Sequence, residues 1–475
     1  MLTFTSPQFI PVIILFIVCW HFLLPNILKK PALLAFSYYY AWQLGGVRSL
    51  AAIAVITVLT FVCALVLSKT EKKKPLVFFY VIIITLLLVY TKQSVFLMDL
   101  LQKITHSDKF TWNVVSLVGL SYYGLAGISY IVDISRGKDE ADKNFLDVAL
   151  WTAFFTKLIA GPIDRHKDFK VRLNELPVTK FDIENVKRGM LICARGYFYK
   201  LIIADRLSIF VNAVFQNASD NFGFTLITAL ILSTLEIYFD FAGYSYIAYG
   251  ISYALDLRIA NNFRHPFFSA SIQEFWTRWH ISLSSWLKDY IYIPLGGSRK
   301  GKLRKELNNI IVFLVSGLWH GNGIMFILWG LVQAMLQLFD KLIQKRSKIF
   351  PKIVNILITF LLISTTMVFF RSESLQAVKI FIKRIFTKWN PEIFIDGTLT
   401  SFGIDLKDWC VLLTAMLIVL VIEIFQYNGV SIYAKLQKNN IVIRWAVYYL
   451  ILIILLVFGM YGTAYDVNNF IYFRF

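Results

Sequence analysis

Charge is what this sequence has least of. Asp, Glu, Lys and Arg make up 16% of its 475 residues, whereas about a quarter of a typical soluble chain is charged. From Leu307 to Phe339 none of the four residue types occurs. This shortage excludes an ordinary soluble domain, whose surface has to be compatible with water.

Cysteine and the common catalytic motifs are missing as well. Cys19, Cys63, Cys193 and Cys410 stand alone, without Cys-x-x-Cys or the Cys/His spacing of zinc sites. A disulfide framework and a metal site are therefore not indicated, and we expect no bound cofactor. The chain also has no G-x-S-x-G, H-E-x-x-H, P-loop or G-x-G-x-x-G sequence. These absences count against covalent hydrolysis, metalloprotease and nucleotide-driven chemistry.

What the sequence does contain is a series of long apolar runs. A membrane-spanning helix needs about 20 apolar residues, because its backbone must be satisfied within the segment. We predict an all-α polytopic membrane protein in which residues 1–475 form one domain with ten to twelve spans. The spans placed individually lie near 8–27, 33–46, 49–68, 76–97, 112–132, 308–338, 353–370, 409–426 and 446–465.

The positive charge that remains is concentrated in short loops. The net charge of +19 lies largely in Lys29–Lys30, Lys69–Lys74, Arg299–Lys305, Lys341–Lys352 and Lys379–Lys388. This distribution is the positive-inside pattern, so we place these loops in the cytoplasm, next to anionic membrane lipid. Nucleic acid is not expected as a partner.

Two regions mix charge with membrane-like sequence. Lys157–Pro162 is too short to span and ends in Gly-Pro, so we expect a re-entrant or protein-buried element. Glu236 and Asp240 lie within the apolar stretch Phe222–Leu255. Intramembrane carboxylates cost a few kcal/mol each, so both should face a cavity or a partner.

The stretch Gln273–Lys302 carries a helical stripe of large apolar residues. Its members recur every three or four positions: Trp276, Trp279, Leu283, Trp286 and Tyr290. This spacing predicts an amphipathic helix at the cytoplasmic interface, anchored by tryptophans. An interfacial helix without chemistry explains the stripe and the basic end, but it explains His280 less well.

The stretch Ser316–Met325, SGLWHGNGIM, raises the question of why a histidine lies in an apolar run. The 33 residues of 307–339 would form a helix of about 50 Å, too long for a hydrocarbon core of about 30 Å. The glycines around His320 therefore predict a kink or break lining a cavity. His320 is either a satisfied core residue or a general base, and acyl transfer from a thioester to a hydroxyl needs such a base.

Taken together, the motifs resemble the membrane-bound O-acyltransferase family, in its bacterial branch typified by the alginate O-acetylation protein. That branch is related to the D-alanyl transfer protein of teichoic acid modification. The core motifs lie within 120–340. The stretches that carry the resemblance are Gly127–Lys138, Ala160–Phe169, Glu236–Ser252, Asn261–Arg299, Ser316–Gly330 and Asn468–Phe475.

The resemblance implies a central tunnel, a cytoplasmic acyl donor and an acceptor outside. The family's central histidine matches His320, which would act as general base or relay the acyl group. Its second histidine matches His280, at the donor entrance. Further candidates are Trp276, Arg278, Ser282, Asp289, Trp319, Asp240 and Tyr244. For most of these a salt bridge or a packing role is an equal alternative.

The resemblance also bears on the substrate. The D-alanyl-transferring relatives usually lack the continuation seen at Tyr292–Arg299, which favours an acetyl donor such as acetyl-coenzyme A. The family pattern implies the bacterial cytoplasmic membrane, a polysaccharide acceptor and an extracytoplasmic partner of the SGNH-hydrolase type. D-alanyl transfer to teichoic acid is one alternative. A transporter of lipid-linked sugars is another, because it explains the intramembrane carboxylates and the broken helix equally well.

Overall fold

The computed structural model describes residues 2–107, 117–176, 181–346 (of 341–346 the backbone only) and 350–461. These residues form eighteen α-helices and no β-strand, which confirms the all-α class for the described part of the chain. The predicted motif at 468–475 lies outside the described residues, as do parts of the predicted spans 112–132 and 446–465.

The first nine helices contain the long spans of the amino-terminal half. They are α1 (Phe9–Val18), α2 (Asn26–Lys69), α3 (Lys73–Thr105), α4 (Leu120–Ser135), α5 (Phe145–Ala153), α6 (His166–Glu175), α7 (Ile183–Tyr197), α8 (Asp205–Gln216) and α9 (Gly223–Ala254). A wider π-helical turn, Cys19–Leu23, extends α1, and another, Phe198–Ala204, joins α7 to α8. α2 is interrupted at Gly46, whose φ is 64°, at the end of the predicted span 33–46.

The second nine helices contain or adjoin the two candidate histidines, His280 and His320. They are α10 (Ile272–Arg278), α11 (Ile281–Leu287), α12 (Lys302–His320), α13 (Ile324–Arg346), α14 (Lys352–Arg371), α15 (Leu375–Thr387), α16 (Leu406–Tyr427), α17 (Ile432–Gln437) and α18 (Ile441–Phe458). In the described residues six helices, α2, α3, α9, α14, α16 and α18, are long and apolar enough to cross a membrane.

The predicted single span at 308–338 is wrong, because the chain reverses direction there. α12 and α13 form an antiparallel hairpin whose turn contains Gly321, in extended backbone, and Gly323, with φ of 90°. Its two helices touch at their backbones: a Cβ on Gly330 would lie 2.3 Å from the carbonyl oxygen of Phe313. Small residues that let helices approach closely are a common feature of membrane proteins. The overlong apolar run is therefore two helices side by side.

The predicted interfacial helix at Gln273–Lys302 is also wrong as a continuous element. α10 and α11 are separate seven-residue helices, and His280 between them has left-handed backbone, with φ of 43°. The segment before α10 stabilises this interruption of the helix: the amide of Ile281 donates to the carbonyl oxygen of Asn262 at 3.0 Å. Trp279 and Trp286 are buried in the protein core rather than placed at a membrane interface.

The two carboxylates of α9 have cationic partners, as predicted. Asp240 lies 2.7 Å from the ammonium of Lys200, and Glu236 pairs with Arg371 of α14. All four residues are buried or nearly so. A buried carboxylate needs such compensation, because its desolvation costs several kcal/mol. α9 is thus the central helix against which α7, α8 and α14 pack.

The predicted protein-buried element at Lys157–Pro162 is confirmed. Phe155–Lys157 form a single 3₁₀ turn, and the non-helical chain that follows is buried through Asp164. The ammonium of Lys157 donates to the carbonyl oxygen of Trp151 at 2.6 Å. Irregular backbone of this kind is tolerated within a membrane protein where it is surrounded by protein.

A histidine also closes the loop after α4. His166, at the start of α6, lies 2.9 Å from a carboxylate oxygen of Asp139 and 3.5 Å from one of Asp142. Burial opposes its protonation, but the two carboxylates raise the pKa of His166 above 6.5. Burial likewise opposes ionisation of Asp142, yet contacts with His166, the Asn144 amide and Lys170 lower its pKa. The loop is therefore held by a charged cluster.

We expect substitution of Gly330 by alanine to separate the hairpin helices. The added methyl meets a backbone oxygen that has no room to move, so the loss should be about 1–3 kcal/mol, as in other overpacked cores. Thermal unfolding in detergent would measure it. Gly124→Ala is the control, because its nearest neighbour is a movable methyl of Ile84 at 3.2 Å. Equal stability of the two variants would contradict the tight contact.

We expect the loop after α4 to open as the pH rises. The folded-state pKa of His166 is raised, so its stabilising contribution is complete below about pH 6.5 and is lost as the pH passes the folded value. Hydrogen exchange across residues 137–142 should be slower in the wild type than in His166→Gln at about pH 6, and the difference should shrink at about pH 9. A difference that does not depend on pH would contradict this assignment.

Candidate active site

His320 is the last residue of α12 and lies at the tip of the hairpin. It is 3% exposed, whereas Asn322, two residues later, is exposed. Its Nδ1–H donates to the carbonyl oxygen of Ser316 at 2.7 Å. Because a carbonyl oxygen can only accept, this contact fixes the neutral tautomer and puts the lone pair on Nε2. The geometry therefore prepares His320 to accept a proton at Nε2.

The structure brings the second predicted histidine next to the first. The ring centroids of His280 and His320 are 6.5 Å apart, with the rings nearly perpendicular. His280 is 1% exposed, and neither of its nitrogens has a hydrogen-bond partner among the described atoms. Left-handed backbone at a non-glycine residue is uncommon and often marks a functional position. His280 thus lies beside His320, and its predicted role at the donor entrance stays a prediction.

Aromatic rings enclose the two imidazoles. Trp319 and Trp329 each lie 5.0 Å from the His320 ring centroid, and Phe370 of α14 lies at 6.2 Å. The indole nitrogen of Trp329 is buried and has no partner in the described structure, and the same holds for that of Trp276, whose ring touches Trp329. An unsatisfied buried donor is costly. The unpaired nitrogens of His280 and Trp329 adjoin His320, and that of Trp276 adjoins Trp329, so the cluster indicates a place where a polar substrate group binds.

A cavity of about 370 Å³ leads towards this group. One face of α12 lines it with residues one turn apart, Lys305, Asn309, Val312 and Ser316, and His320 is the next position on that face. α10 and α11 contribute Gln273, Trp276, Thr277, Leu283, Ser284, Leu287 and Lys288 to the opposite wall. Lys288 and Lys305 lie at the end near the basic loop Arg299–Lys305. Glu306 and Asp340 also line the cavity, which thus runs from a mouth of mixed charge beside the basic loop to the turn before His320.

The other predicted site residues divide into two sets. Trp276 lines the cavity, and Trp319 contacts both histidines. The remaining five have partners in the fold, and none of them lines the cavity. Arg278 pairs with Glu274, Ser282 donates to Asn262, Asp289 pairs with Arg165, Asp240 pairs with Lys200 and Tyr244 contacts Thr5. For these five residues the observed contacts agree with the alternative of a salt bridge or a packing role.

Sequence reasoning missed several residues that build the site. Trp329 lies within a quoted motif, but only the hairpin brings it back to His320. Asp340 of α13 accepts from the amides of Ile272 and Gln273, at 2.9 and 3.3 Å, and so anchors the start of α10 beside the cavity. Lys92 and Gln93 of α3 contact the hairpin tip. Asp340 and Lys92 could have been found from the sequence, because each is a charged residue at the end of an apolar run.

The described residues contain no group of three or more His, Cys, Asp or Glu side chains arranged to hold a metal ion. The chemistry available at this site is proton transfer by an imidazole together with hydrogen bonding by buried N–H groups. Such a site suits the transfer of an acyl group between two substrates.

Comparison with known proteins identifies the family. Residues 34–375 match the membrane-bound O-acyltransferase family. The chain is 38% identical over 265 residues to a probable alginate O-acetylase of Pseudomonas syringae pv. tomato, covering 56% of this chain and 50% of that protein. It is 33% identical over 320 residues to a peptidoglycan O-acetyltransferase of Helicobacter pylori, covering 61% of this chain and 60% of that protein.

A more distant match has a different acyl group in its name. The chain is 28% identical over 253 residues to a teichoic acid D-alanyltransferase of Bacillus subtilis, covering 50% of this chain and 62% of that protein. The chain therefore spans about half the length of the first of these relatives and less than two thirds of the other two.

Cysteine labelling should verify the cavity. Ser284 lines it, whereas Ser282, two residues earlier, is 6% exposed and packed against Asn262. We expect Ser284→Cys, with Cys19 and Cys410 replaced by serine, to react with a membrane-impermeant maleimide in inverted vesicles. Ser282→Cys is the matched control and should stay unlabelled. Equal labelling of the two variants would contradict the cavity described above.

Proposed function

The chain belongs to the membrane-bound O-acyltransferase family, and we propose that it is an O-acyltransferase that passes an acetyl group from a cytoplasmic thioester to a hydroxyl of an extracytoplasmic cell-surface polysaccharide. The observation that carries this proposal is the fixed tautomer of His320 at the end of the cavity, with partnerless buried nitrogens around it. The site supplies a base and hydrogen-bond donors for the reacting groups.

In the proposed reaction Nε2 of His320 takes the proton of the attacking hydroxyl. The oxygen adds to the thioester carbonyl, and the tetrahedral intermediate collapses as the C–S bond breaks. The thiolate leaves and receives the proton from the imidazolium. His280 and the indole N–H groups of Trp276 and Trp329 can donate to the carbonyl oxygen as it gains charge, the kind of contact that lowers such barriers most.

The cavity is suited to the donor. Its mouth carries Lys288 and Lys305 next to further basic residues of the loop. Glu306 and Asp340 offset these two lysines within the cavity, so the attraction for the phosphates of acetyl-coenzyme A comes from the neighbouring basic loop, and the slender thioester arm would extend along α12. The positive-inside distribution supports a cytoplasmic location for this entrance.

The names of the relatives support the acceptor class. The two O-acetylating relatives are more similar to this chain than the D-alanyltransferase is, so we favour acetyl over D-alanyl as the group transferred. Family membership likewise favours the acyltransferase over the transporter hypothesis. We propose a multi-pass protein of the bacterial cytoplasmic membrane that works with an extracytoplasmic partner of the SGNH-hydrolase type.

Replacing His320 by glutamine should abolish transfer while the protein stays folded. Glutamine approximates the volume of histidine but does not accept the proton, so the rate should fall about 100-fold or more. The measurement is base-labile label in the polymer fraction of inverted vesicles from cells producing the chain, supplied with labelled acetyl-coenzyme A.

His106→Gln is the matched control, because His106 is an exposed histidine at the end of α3. It should transfer label at the wild-type rate. Wild-type transfer by His320→Gln would refute the catalytic assignment. Label that arrives only from a D-alanyl thioester would replace acetyl by D-alanyl.

A further inference from the structure

α3 touches the catalytic hairpin through two consecutive side chains. The ammonium of Lys92 donates to the carbonyl oxygen of Trp319 at 2.8 Å. The amide nitrogen of Gln93 donates to the carbonyl oxygens of Leu318 and Gly321, at 2.8 and 2.7 Å. The side-chain oxygen of Gln93 also accepts from the amide of Gly323 at 3.3 Å.

These contacts satisfy carbonyl groups that are left without amide partners where α12 ends at His320. The last carbonyls of a helix have no amide partner in the helix, and inside a membrane no water replaces it. Gly321 supplies one bond within the chain, to Gly317, at 3.4 Å. Side chains from α3 supply the donors for Leu318, Trp319 and Gly321. The charge of Lys92 also counters the negative end of the helix dipole.

The arrangement restrains His320 on both sides. The carbonyls of Trp319 and Gly321 belong to the residues just before and just after it, and both are bonded to α3. The Lys92 ammonium also lies 5.3 Å from the centre of the Trp319 ring, which packs on the His320 ring. With Nδ1 held by Ser316, little freedom is left for the imidazole.

We propose that Lys92 and Gln93 are positioning residues that hold the hairpin tip, and with it Nε2 of His320, in the geometry needed for acyl transfer. This inference rests on the proposed function of His320. Lys92 lies 19 residues into α3 from Lys73, about 28 Å along the helix, at a depth similar to that of Trp319 in α12. The simpler alternative is a lysine that merely extends to the outer membrane surface.

The test compares Lys92→Met, Lys92→Arg and Gln93→Leu in the full chain, with labelled acetyl-coenzyme A as donor. We expect Lys92→Met and Gln93→Leu to lower kcat about 10- to 100-fold, because a shift of about 1 Å at the reacting atom has that effect. KM for acetyl-coenzyme A should stay unchanged, because neither residue lines the donor cavity. Lys92→Arg keeps the charge and the donors and should retain most of kcat.

Lys103→Met is the matched control, since Lys103 is an exposed lysine of the same helix. It should leave kcat and KM at wild-type values. Hydrogen exchange of residues 321–324 provides a readout independent of activity and should be faster in Lys92→Met and Gln93→Leu.

Faster exchange together with a lower kcat and unchanged KM would support the inference. Wild-type kcat in Lys92→Met and Gln93→Leu would overturn it, whatever the exchange rates are. A raised KM with unchanged kcat would overturn it too, because it would place the two residues in donor binding. His320→Gln leaves the contacts from α3 in place, so its activity tests the proposed function separately.

Discussion

Polar groups inside a membrane find no water, so each must be satisfied within the protein. Much of this fold follows from that constraint. The carboxylates of α9 meet Lys200 and Arg371, and the irregular chain after Phe155 is surrounded by protein. At the hairpin tip the same constraint recruits side chains of α3 to the carbonyls around His320. The carbonyl groups at a break that lipid could not satisfy thereby have partners within the protein.

Some buried polar atoms of the described structure have no partner, and four of them belong to His280 and Trp329, which contact His320, and to Trp276, which contacts Trp329. Both nitrogens of His280 and the indole nitrogens of Trp276 and Trp329 have no partner there. Low dielectric makes such groups expensive, but it also strengthens any bond they form with a substrate. The site thus combines His320, whose imidazole is fixed by the protein, with neighbouring side chains whose nitrogens are available to hydrogen-bond a substrate. The cavity along α12 ends one turn before this place.

Some of this architecture was predictable from local sequence and some was not. The buried segment at Lys157–Pro162 and the pairing of Glu236 and Asp240 were predicted, since each follows from the cost of polar groups in an apolar run. The hairpin was predicted only as a break, because hydropathy measures how apolar a run is and not its direction. The helix predicted in Gln273–Lys302 is interrupted where Ile281 bonds to Asn262, a contact that periodicity within the segment does not reveal.

The sequence alone determined the membrane class and the family resemblance, and it selected His320 and His280 as candidates. These depend on composition, on an isolated titratable residue in an apolar run and on contiguous motifs, all of which are local properties. Only the tertiary structure decided which candidates share the site. It separated Trp276 and Trp319 from Arg278, Ser282, Asp289, Asp240 and Tyr244, and it added Trp329, Lys92 and Gln93. The reason is physical: helices brought together by packing place residues more than 200 positions apart, such as Lys92 and Trp319, within hydrogen-bond distance.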